Sequence, residues 1–125
     1  MKLDYIEEVN DFGDSIVRIY NGSKAQSSKF KAAIEKIILK NRQSLLLNSL
    51  DFIEEGEITL TFHIAMEDEG ITTDDEENFN CHLTLTAYRK MVEMIIPFTK
   101  KDTKAFQRLY DADNNIDLMF VPSGT

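Results

Sequence analysis

Two segments of the chain alternate polar and apolar residues so regularly that each is predicted to be a β-strand with one buried face. Every second residue of segment 57–66 is apolar, namely Ile58, Leu60, Phe62, Ile64 and Met66. The alternation returns in segment 79–86, with Phe79, Cys81, Leu83 and Leu85 on one face. A period of two is typical of antiparallel strands that have one face on the core and the other in water. We therefore predict that the two segments pair as an antiparallel hairpin around loop 67–78.

Three further stretches of the sequence have the pattern of strands. Residues 1–20 contain two apolar runs separated by turn-forming residues at 10–14, which predicts a β-hairpin. Residues 50–53 can form a short strand that stops at Gly56. Residues 116–121 are apolar on both faces, and we expect them to form a central, buried strand.

Helices are predicted between these strands. Apolar residues spaced three and four apart indicate a helix from about residue 24 to residue 41, and Asn21-Gly22-Ser23 offers the break and the helix cap before it. A second helix is predicted to begin at a Thr86 cap and to end at Pro97. A third, short helix follows a cap at Asp102. The apolar side of this third helix consists of Phe106, Leu109 and Tyr110.

The predicted order of elements is β-β-α-β-β-β-α-α-β, in a single domain that spans residues 1–125. Helices do not alternate one-for-one with strands, so an α+β fold is favoured over a doubly wound parallel sheet. We expect a mostly antiparallel sheet of about five to six strands, with one long and two shorter helices packed on one face. A chain of 125 residues, 42% of them apolar, is long enough to build one such core.

The negative charge of the chain is concentrated in its middle third. Residues 43–88 contain no lysine or arginine but hold half of the 22 acidic residues, so the net charge of -8 at pH 7 arises from one block. Binding to DNA or RNA requires clustered lysine and arginine, so a direct nucleic-acid ligand is not expected. The acids of the block are Asp51, Glu54, Glu55, Glu57, Glu67, Asp68, Glu69, Asp74, Asp75, Glu76 and Glu77.

Seven of these acids fall in loop 67–78, and the sequence allows three uses for them. The first is a solvated hairpin loop whose charges oppose aggregation, and the second is weak binding of a divalent cation. An EF-hand is rejected because Ala65 would stand at the first ligand position. The third and leading use is recognition of a basic protein by the loop, reinforced by Glu54, Glu55 and Glu57. The predicted partner-binding residues are Glu67, Asp68, Glu69, Asp74, Asp75, Glu76 and Glu77.

The two histidines of the chain form a second candidate site. In a hairpin whose paired positions sum to 145, His63 lies opposite His82. The same register places Phe62 opposite Leu83 and Thr61 opposite Thr84. Two facing imidazoles can share a metal ion or a proton, but zinc requires three or four ligands. His63, His82 and Glu67 are therefore weak metal candidates on what we predict to be a polar sheet face.

Motifs for catalysis and cofactor binding are absent from the sequence. It contains no Gly-x-Ser-x-Gly elbow, no Gly-x-Gly-x-x-Gly loop and no Gly-Lys-Ser/Thr phosphate loop. Cys81 stands at an apolar strand position, where a thiol is usually an inert packing group. No catalytic residue and no cofactor is expected, and an enzyme is less favoured than a binding module.

Targeting features point to the cytoplasm. Residues 1–9 lack a basic start and an apolar run, and no stretch approaches the roughly 20 apolar residues that span a bilayer. The single cysteine fits a reducing compartment. We expect a cytoplasmic protein with no membrane partner.

The leading functional hypothesis is a non-enzymatic module that docks on, and can inhibit, a basic protein such as a nucleic-acid enzyme. Immunity proteins that neutralise toxins and phage anti-defence proteins have this general build, which is an analogy of type without a shared motif. One alternative is a small enzyme or a ligand- or metal-binding protein that uses the face of His63 and His82. The other is a homo-oligomer in which the basic segment 24–42 of one copy meets the acidic hairpin of another.

Overall fold

The structure is a computed structural model that describes residues 1–8, 11 and 13–122. Within these residues the chain forms two four-stranded sheets and two α-helices. A π-helical segment, Ile34–Lys40, continues the first helix, and a 3-10 turn, Leu47–Ser49, follows the third strand. The elements are β1 (Lys2–Ile6), β2 (Ser15–Tyr20), α1 (Lys24–Ala33), β3 (Leu45–Leu46), β4 (Thr59–Ile64), β5 (Gly70–Thr73), β6 (Asn78–Leu83), α2 (Leu85–Lys100), β7 (Gln107–Arg108) and β8 (Ile116–Val121).

The two sheets share one pairing pattern. The first has the strand order β1-β2-β8-β7 and the second has the order β3-β4-β6-β5. In each sheet the two central strands are parallel, and each outer strand is antiparallel to its neighbour. The predicted α+β class is confirmed. The prediction of one sheet with five to six strands is wrong, because the apolar faces are shared between two smaller sheets.

Both sheets turn their apolar faces toward the same helices. The ring of Phe30 in α1 lies 5.7 Å from that of Phe120 in β8 and 6.2 Å from that of Phe62 in β4. The ring of Tyr88 in α2 also packs on Phe62, with centroids 5.5 Å apart. These side chains belong to one continuous core. The helices therefore cover one face of each sheet, and the opposite faces carry polar and half-buried residues.

The first hairpin and the last strand follow the sequence prediction. β1 pairs antiparallel with β2, placing Asp4 opposite Arg18. The predicted turn at 10–14 falls in part on residues outside those that the structure describes. β8 is central, between β2 and β7, and alternates buried with half-buried residues instead of being buried on both faces.

The predicted strand at residues 50–53 does not form. On the side of β4 away from β6, the described chain pairs through Leu45–Leu46, further back along the sequence. The side chain of Asn48 then bonds to the edge of β4, donating to the Ile58 carbonyl and accepting from the Leu60 N–H, each at 3.0 Å. Because these groups are already bonded to Asn48, the edge cannot accept a longer partner strand.

Each helix begins at a side-chain cap. Ser23 accepts from the Gln26 N–H, and the Gln26 side chain accepts from the Ser23 N–H, which is a complete capping box. The prediction of Thr86 as the second cap is wrong: Thr84 caps α2 by accepting from the Ala87 N–H. The alternating segment 79–86 is therefore a strand only as far as Leu83, and its Leu85 is the first residue of α2.

The predicted end of the second helix at Pro97 is also wrong. α2 continues to Lys100, with Pro97 exposed in its last turns. Ile95 and Phe98, on either side of the proline, are buried. Burial of Phe98 keeps the final turn in place despite the backbone hydrogen bond that proline cannot donate. No helix among the described residues is long and apolar enough to cross a membrane.

The third predicted helix is absent from the described chain. Asp102 lies beside the first turn of α1 instead, where its Oδ1 accepts from the Lys24 N–H at 3.0 Å. Phe106, expected on an apolar helix face, is 66% exposed, and Gln107–Arg108 pairs with β8 as β7. Tyr110 is drawn into the junction between the two sheets, where its burial outweighs the local helical spacing.

Candidate functional site

The loop predicted at 67–78 contains a strand that the sequence pattern did not reveal. β5 pairs antiparallel with β6, so that Ile71 lies opposite Cys81. This strand lets β6 run parallel to β4, and the predicted antiparallel hairpin between them is wrong. The segment predicted to continue to residue 66 stops at Ile64, and Met66 is 95% exposed.

β5 separates the seven acids that were predicted to act together. Glu67, Asp68 and Glu69 precede it, and Asp74, Asp75, Glu76 and Glu77 follow it. Four residues of strand at about 3.3 Å each place the two groups about 13 Å or more apart. The structure therefore presents two acidic groups at opposite ends of a hairpin.

Two of these acids support the fold directly. The Asp68 Oδ1 accepts from the N–H and the hydroxyl of Thr84, at 2.8 and 2.9 Å, and so braces the beginning of α2. The Asp75 carboxylate accepts from the backbone N–H groups of Asn78 and Glu77, at 2.8 and 2.9 Å, and from the Asn78 side chain. These hydrogen bonds lower the pKa of Asp75 to about 2. The backbone N–H groups of Asn78 and Glu77 contribute most to this shift. Both carboxylates are already committed to intramolecular bonds.

The second acidic group faces another acidic segment across an open cleft of about 970 Å³. Residues 54–58 form one wall, the turn 75–77 forms the other, and Leu3 and Tyr5 of β1 line the space between them. The walls are tied at their base, where the Thr59 N–H donates to the Glu77 carbonyl at 2.8 Å. We call this feature the acidic cleft. Its acidic residues are Asp4, Glu54, Glu55, Glu57, Asp75, Glu76 and Glu77.

Little positive charge offsets these carboxylates. Lys2 is the one basic residue among the described residues that line the cleft. Asp4 is paired with Arg18 through two bonds, of 2.6 and 3.0 Å, and the N-terminal amine lies 3.9 Å from a Glu54 oxygen. In the described part of the chain, no lysine or arginine pairs with the remaining glutamates of the cleft. These are Glu55, Glu57, Glu76 and Glu77.

A contact between two carboxyl groups marks the turn side of the cleft. Glu7, which follows β1, lies close enough to Glu76 for the two carboxyl groups to interact. A shared hydrogen bond first, and charge repulsion second, raise the pKa of Glu7 above its ordinary value. Glu76 has a φ of 59°, in the left-handed region that residues other than glycine rarely adopt. The turn thus holds Glu76 close to another acid, where a cation is the natural counterpart.

The histidine pair lies on the second sheet, on the face that the helices do not cover. His63 and His82 are opposite one another, as predicted, although the strands are parallel. The same register places Phe62 opposite Cys81 and Thr61 opposite Asn80, so the predicted pairings of Phe62 with Leu83 and of Thr61 with Thr84 are wrong. The two imidazole rings stack, with centroids 4.8 Å apart and an angle of 13° between their planes.

Both ring nitrogens of His63 already have partners. Nε2 lies 2.8 Å from Asn80 Oδ1, and Nδ1 lies 3.3 Å from the Ser44 hydroxyl. Because Oδ1 can only accept, Nε2 donates to it, and in the neutral ring Nδ1 then accepts from the Ser44 hydroxyl. Within the described residues, no group of three or more His, Cys, Asp and Glu side chains is placed to hold a metal ion. Glu67 is not brought to the histidines in such a group.

Cys81 occupies the buried face of β6. Burial raises the pKa of its thiol above the usual value, so the reactive thiolate is disfavoured. The Tyr88 hydroxyl donates to the His63 carbonyl at 2.7 Å and also lies 3.3 Å from the Cys81 carbonyl. These groups fasten α2 to the second sheet.

Sequence reasoning placed Glu54, Glu55 and Glu57 with the turn acids but missed the part played by β1. No local pattern could have revealed it, because Asp4 reaches the cleft, and Glu7 comes beside Glu76, only through the packing of one sheet beside the other. Comparisons of the chain with models of protein families, with curated proteins and with solved structures find no match.

Proposed function

We propose that this protein is a binding module whose acidic cleft docks a positively charged protein, such as a nuclease or another nucleic-acid enzyme. One observation carries the proposal: three separate segments of the chain bring carboxylates to a single concave surface. These segments are β1, residues 54–57 and the turn 75–77. Four of their glutamates have no lysine or arginine partner among the described residues.

A concave surface with charges of one sign focuses the electric field toward its opening. Such a field accelerates the encounter with an oppositely charged protein and orients it. Salt screens the attraction over a distance of about 10 Å at 0.1 M ionic strength. Association should therefore be fast at low salt and slower at high salt, with a smaller change in the dissociation rate.

The same chemistry explains why a nucleic-acid enzyme fits as partner. Such enzymes hold the phosphate backbone with clustered lysine and arginine. Carboxylates held in a rigid cleft can occupy those side chains and compete with the phosphates. Docking of this kind inhibits the enzyme without any catalytic group in the inhibitor.

The test compares two variants with equal changes in net charge. Glu57→Gln/Glu77→Gln neutralises one acid on each wall of the cleft, and Glu67→Gln/Glu69→Gln neutralises two exposed acids beyond the other end of β5. Tagged proteins are used to capture partners from native lysate at low and high salt, and captured proteins are identified by mass spectrometry. The expected partner is basic, stoichiometric and lost at high salt.

The cleft variant should bind this partner about 2- to 30-fold more weakly, since each exposed charge pair contributes about 0.2–1 kcal/mol. The control variant should bind it like the unaltered protein. Equal binding by both variants would show that the cleft is not the docking surface. Recovery of the protein alone, with a mass that changes with concentration and salt, would favour self-association through the basic segment 24–42.

A further inference from the structure

β1 is an edge strand whose free side faces the acidic cleft. It pairs with β2 on one side only, and its residues Leu3 and Tyr5 line the cleft. The edge of a sheet presents a row of unpaired N–H and C=O groups, which can pair with a further strand. The cleft therefore offers backbone hydrogen-bonding groups as well as negative charge.

The direction of these backbone groups follows from the contacts of Met1. Its amine donates to the Phe52 carbonyl and its carbonyl accepts from the Glu54 N–H, each at 2.9 Å. The backbone groups of Met1 therefore point away from β2. Direction alternates along an antiparallel strand, so the groups of Leu3 and Tyr5 also point away from β2, toward the cleft. Within the residues that the structure describes, they have no hydrogen-bond partner on that side.

The chain itself already pairs with the first residue of this edge. Residues 52–54 bond to Met1 as a short strand would, and the chain then turns away at Gly56. A Cβ built on Gly56 would lie 3.7 Å from the Leu3 carbonyl, so the wall passes close to the edge there. The free part of the edge is centred on Tyr5, with the turn 75–77 beyond it.

Charge decides what can occupy this edge. A second copy of the chain would bring its own carboxylates against those of the cleft, and this repulsion opposes pairing between copies. An extended segment with lysine or arginine at alternate positions would instead place cations beside Glu57 and Glu77. Hydrogen bonds to the main chain would supply affinity, and the cleft would supply selectivity for basic side chains.

We propose that the partner inserts an extended, lysine- or arginine-rich segment into the acidic cleft, where it pairs with β1 as a fifth strand of the first sheet. This inference rests on the proposed function and states how the docking occurs. The free part of the edge, centred on Tyr5, is shorter than the five residues of β1, which span about 17 Å, so a segment of about five to seven residues is sufficient.

The test uses a seven-residue peptide of alternating lysine and threonine as the probe. Amide hydrogen exchange of Leu3 and Tyr5 is followed by NMR at low salt, with and without the peptide. We expect exchange of the Tyr5 amide to slow at least tenfold when the peptide is saturating. Exchange at β7, the opposite edge of the same sheet, should not change.

Two N-methylated forms of the peptide provide a matched control. One carries methyl groups on the backbone nitrogens of the odd residues and the other on those of the even residues, so the side chains and charge are the same. A strand bonds to an edge through alternate residues only, so one form should bind like the parent peptide. The other should bind about fivefold more weakly for each hydrogen bond lost, because a net hydrogen bond contributes about 1 kcal/mol.

The outcomes separate this inference from the proposed function. Suppose that the peptide binds and that Glu57→Gln/Glu77→Gln weakens it, but that both methylated forms bind equally and exchange at Tyr5 does not change. Strand addition is then wrong, while docking in the cleft stands. Failure of the parent peptide to bind at low salt also overturns strand addition, and the capture experiment then judges docking on its own.

Discussion

The hydroxyl of Tyr110 accepts a hydrogen bond from the backbone N–H of Ile71 at 3.1 Å, and it donates one to the carbonyl of Ile116. Ile71 belongs to the second sheet and Ile116 begins β8 in the first, so one side chain bonds to both sheets. The Asn114 side chain adds a second connection, since its amide donates to the Glu69 and Ile71 carbonyls. This junction holds the two sheets beside one another.

Removal of the Tyr110 hydroxyl should weaken the junction. Tyr110→Phe leaves a buried N–H and a buried carbonyl without a partner, which costs about 1–3 kcal/mol. The measurement is the free energy of unfolding in urea. Tyr5→Phe is the control, because the Tyr5 hydroxyl has no hydrogen bond in the described part of the structure. Equal losses in the two variants would show that the junction does not contribute through these bonds.

Gly70 beside this junction should not tolerate a side chain. It has a φ of 84°, and a Cβ there would lie 2.8 Å from Asn114 Nδ2 and 2.9 Å from the Tyr110 ring. Gly13 has a similar φ of 78° but open space around the Cβ position. Gly13→Ala should therefore cost only the left-handed strain of about 1–2 kcal/mol. Gly70→Ala should cost about 1–3 kcal/mol more, measured by thermal or urea unfolding. A similar loss in both variants would contradict the predicted clash.

The pH dependence of stability should report the bonds of Asp75. Its folded pKa, about 2, lies below the ordinary value of 3.8, so the folded state holds its proton less tightly than the unfolded state. The stabilisation is complete above about pH 4 and is lost as the pH falls toward 2. The difference in unfolding free energy between the unaltered protein and Asp75→Asn should shrink across this window. Asp74→Asn, which removes a neighbouring carboxylate and leaves the bonds of Asp75 in place, is the matched control.

The tautomer of His63 can be read from the nitrogen shifts of its ring. In the neutral ring, the contacts with Asn80 and Ser44 favour the tautomer that carries its proton on Nε2. Two-dimensional ¹H–¹⁵N spectra at neutral pH should show this single form. In Ser44→Ala, Nδ1 loses its hydrogen-bond partner. The nitrogen shifts of the ring should then move toward those of a mixture of the two tautomers. A proton found on Nδ1 in the unaltered protein would contradict the assignment.

Docking should depend on pH through Glu7. The pKa of Glu7 is raised above 4.5 by its contact with Glu76, and a basic side chain in the cleft favours the ionised form. Affinity for the lysine–threonine peptide should therefore increase as the pH rises above 4.5 at constant ionic strength. Glu7→Gln, which has no titratable group at this position, should flatten the dependence of peptide affinity on pH. A profile unchanged by this substitution would show that the proton is not displaced on binding.

The meeting of His63 and His82 shows what a residue pattern can and cannot predict. Alternation with a period of two places both side chains on the polar face, whichever way the strands run. The pattern is the same when read from either end, so it carries no information on strand direction. The prediction of neighbouring histidines was therefore correct while the antiparallel arrangement was not.

β5 and the cleft could not be predicted for a different reason. Gly70–Thr73 is short, lies between acids and is stabilised by its pairing with β6 and by Tyr110 and Asn114, which are distant in sequence. The cleft depends in the same way on contacts between sheets. The cap of α1, by contrast, falls within the predicted segment 21–23, at Ser23, because its capping box with Gln26 is local.

The parallel pairing of β2 with β8 has a consequence for the order of folding. The two strands are separated by about 100 residues of chain. Pairing over such distances is slow, because the entropic cost of closing the loop comes before the strand contacts can stabilise the chain. The second sheet, whose strands all lie between Leu45 and Leu83, involves much shorter closures. We therefore expect it to assemble early with the helices, and β1, β2 and β8 to join last. Since β1 completes the acidic cleft, a partner would encounter a finished docking surface only on molecules that have folded to the end.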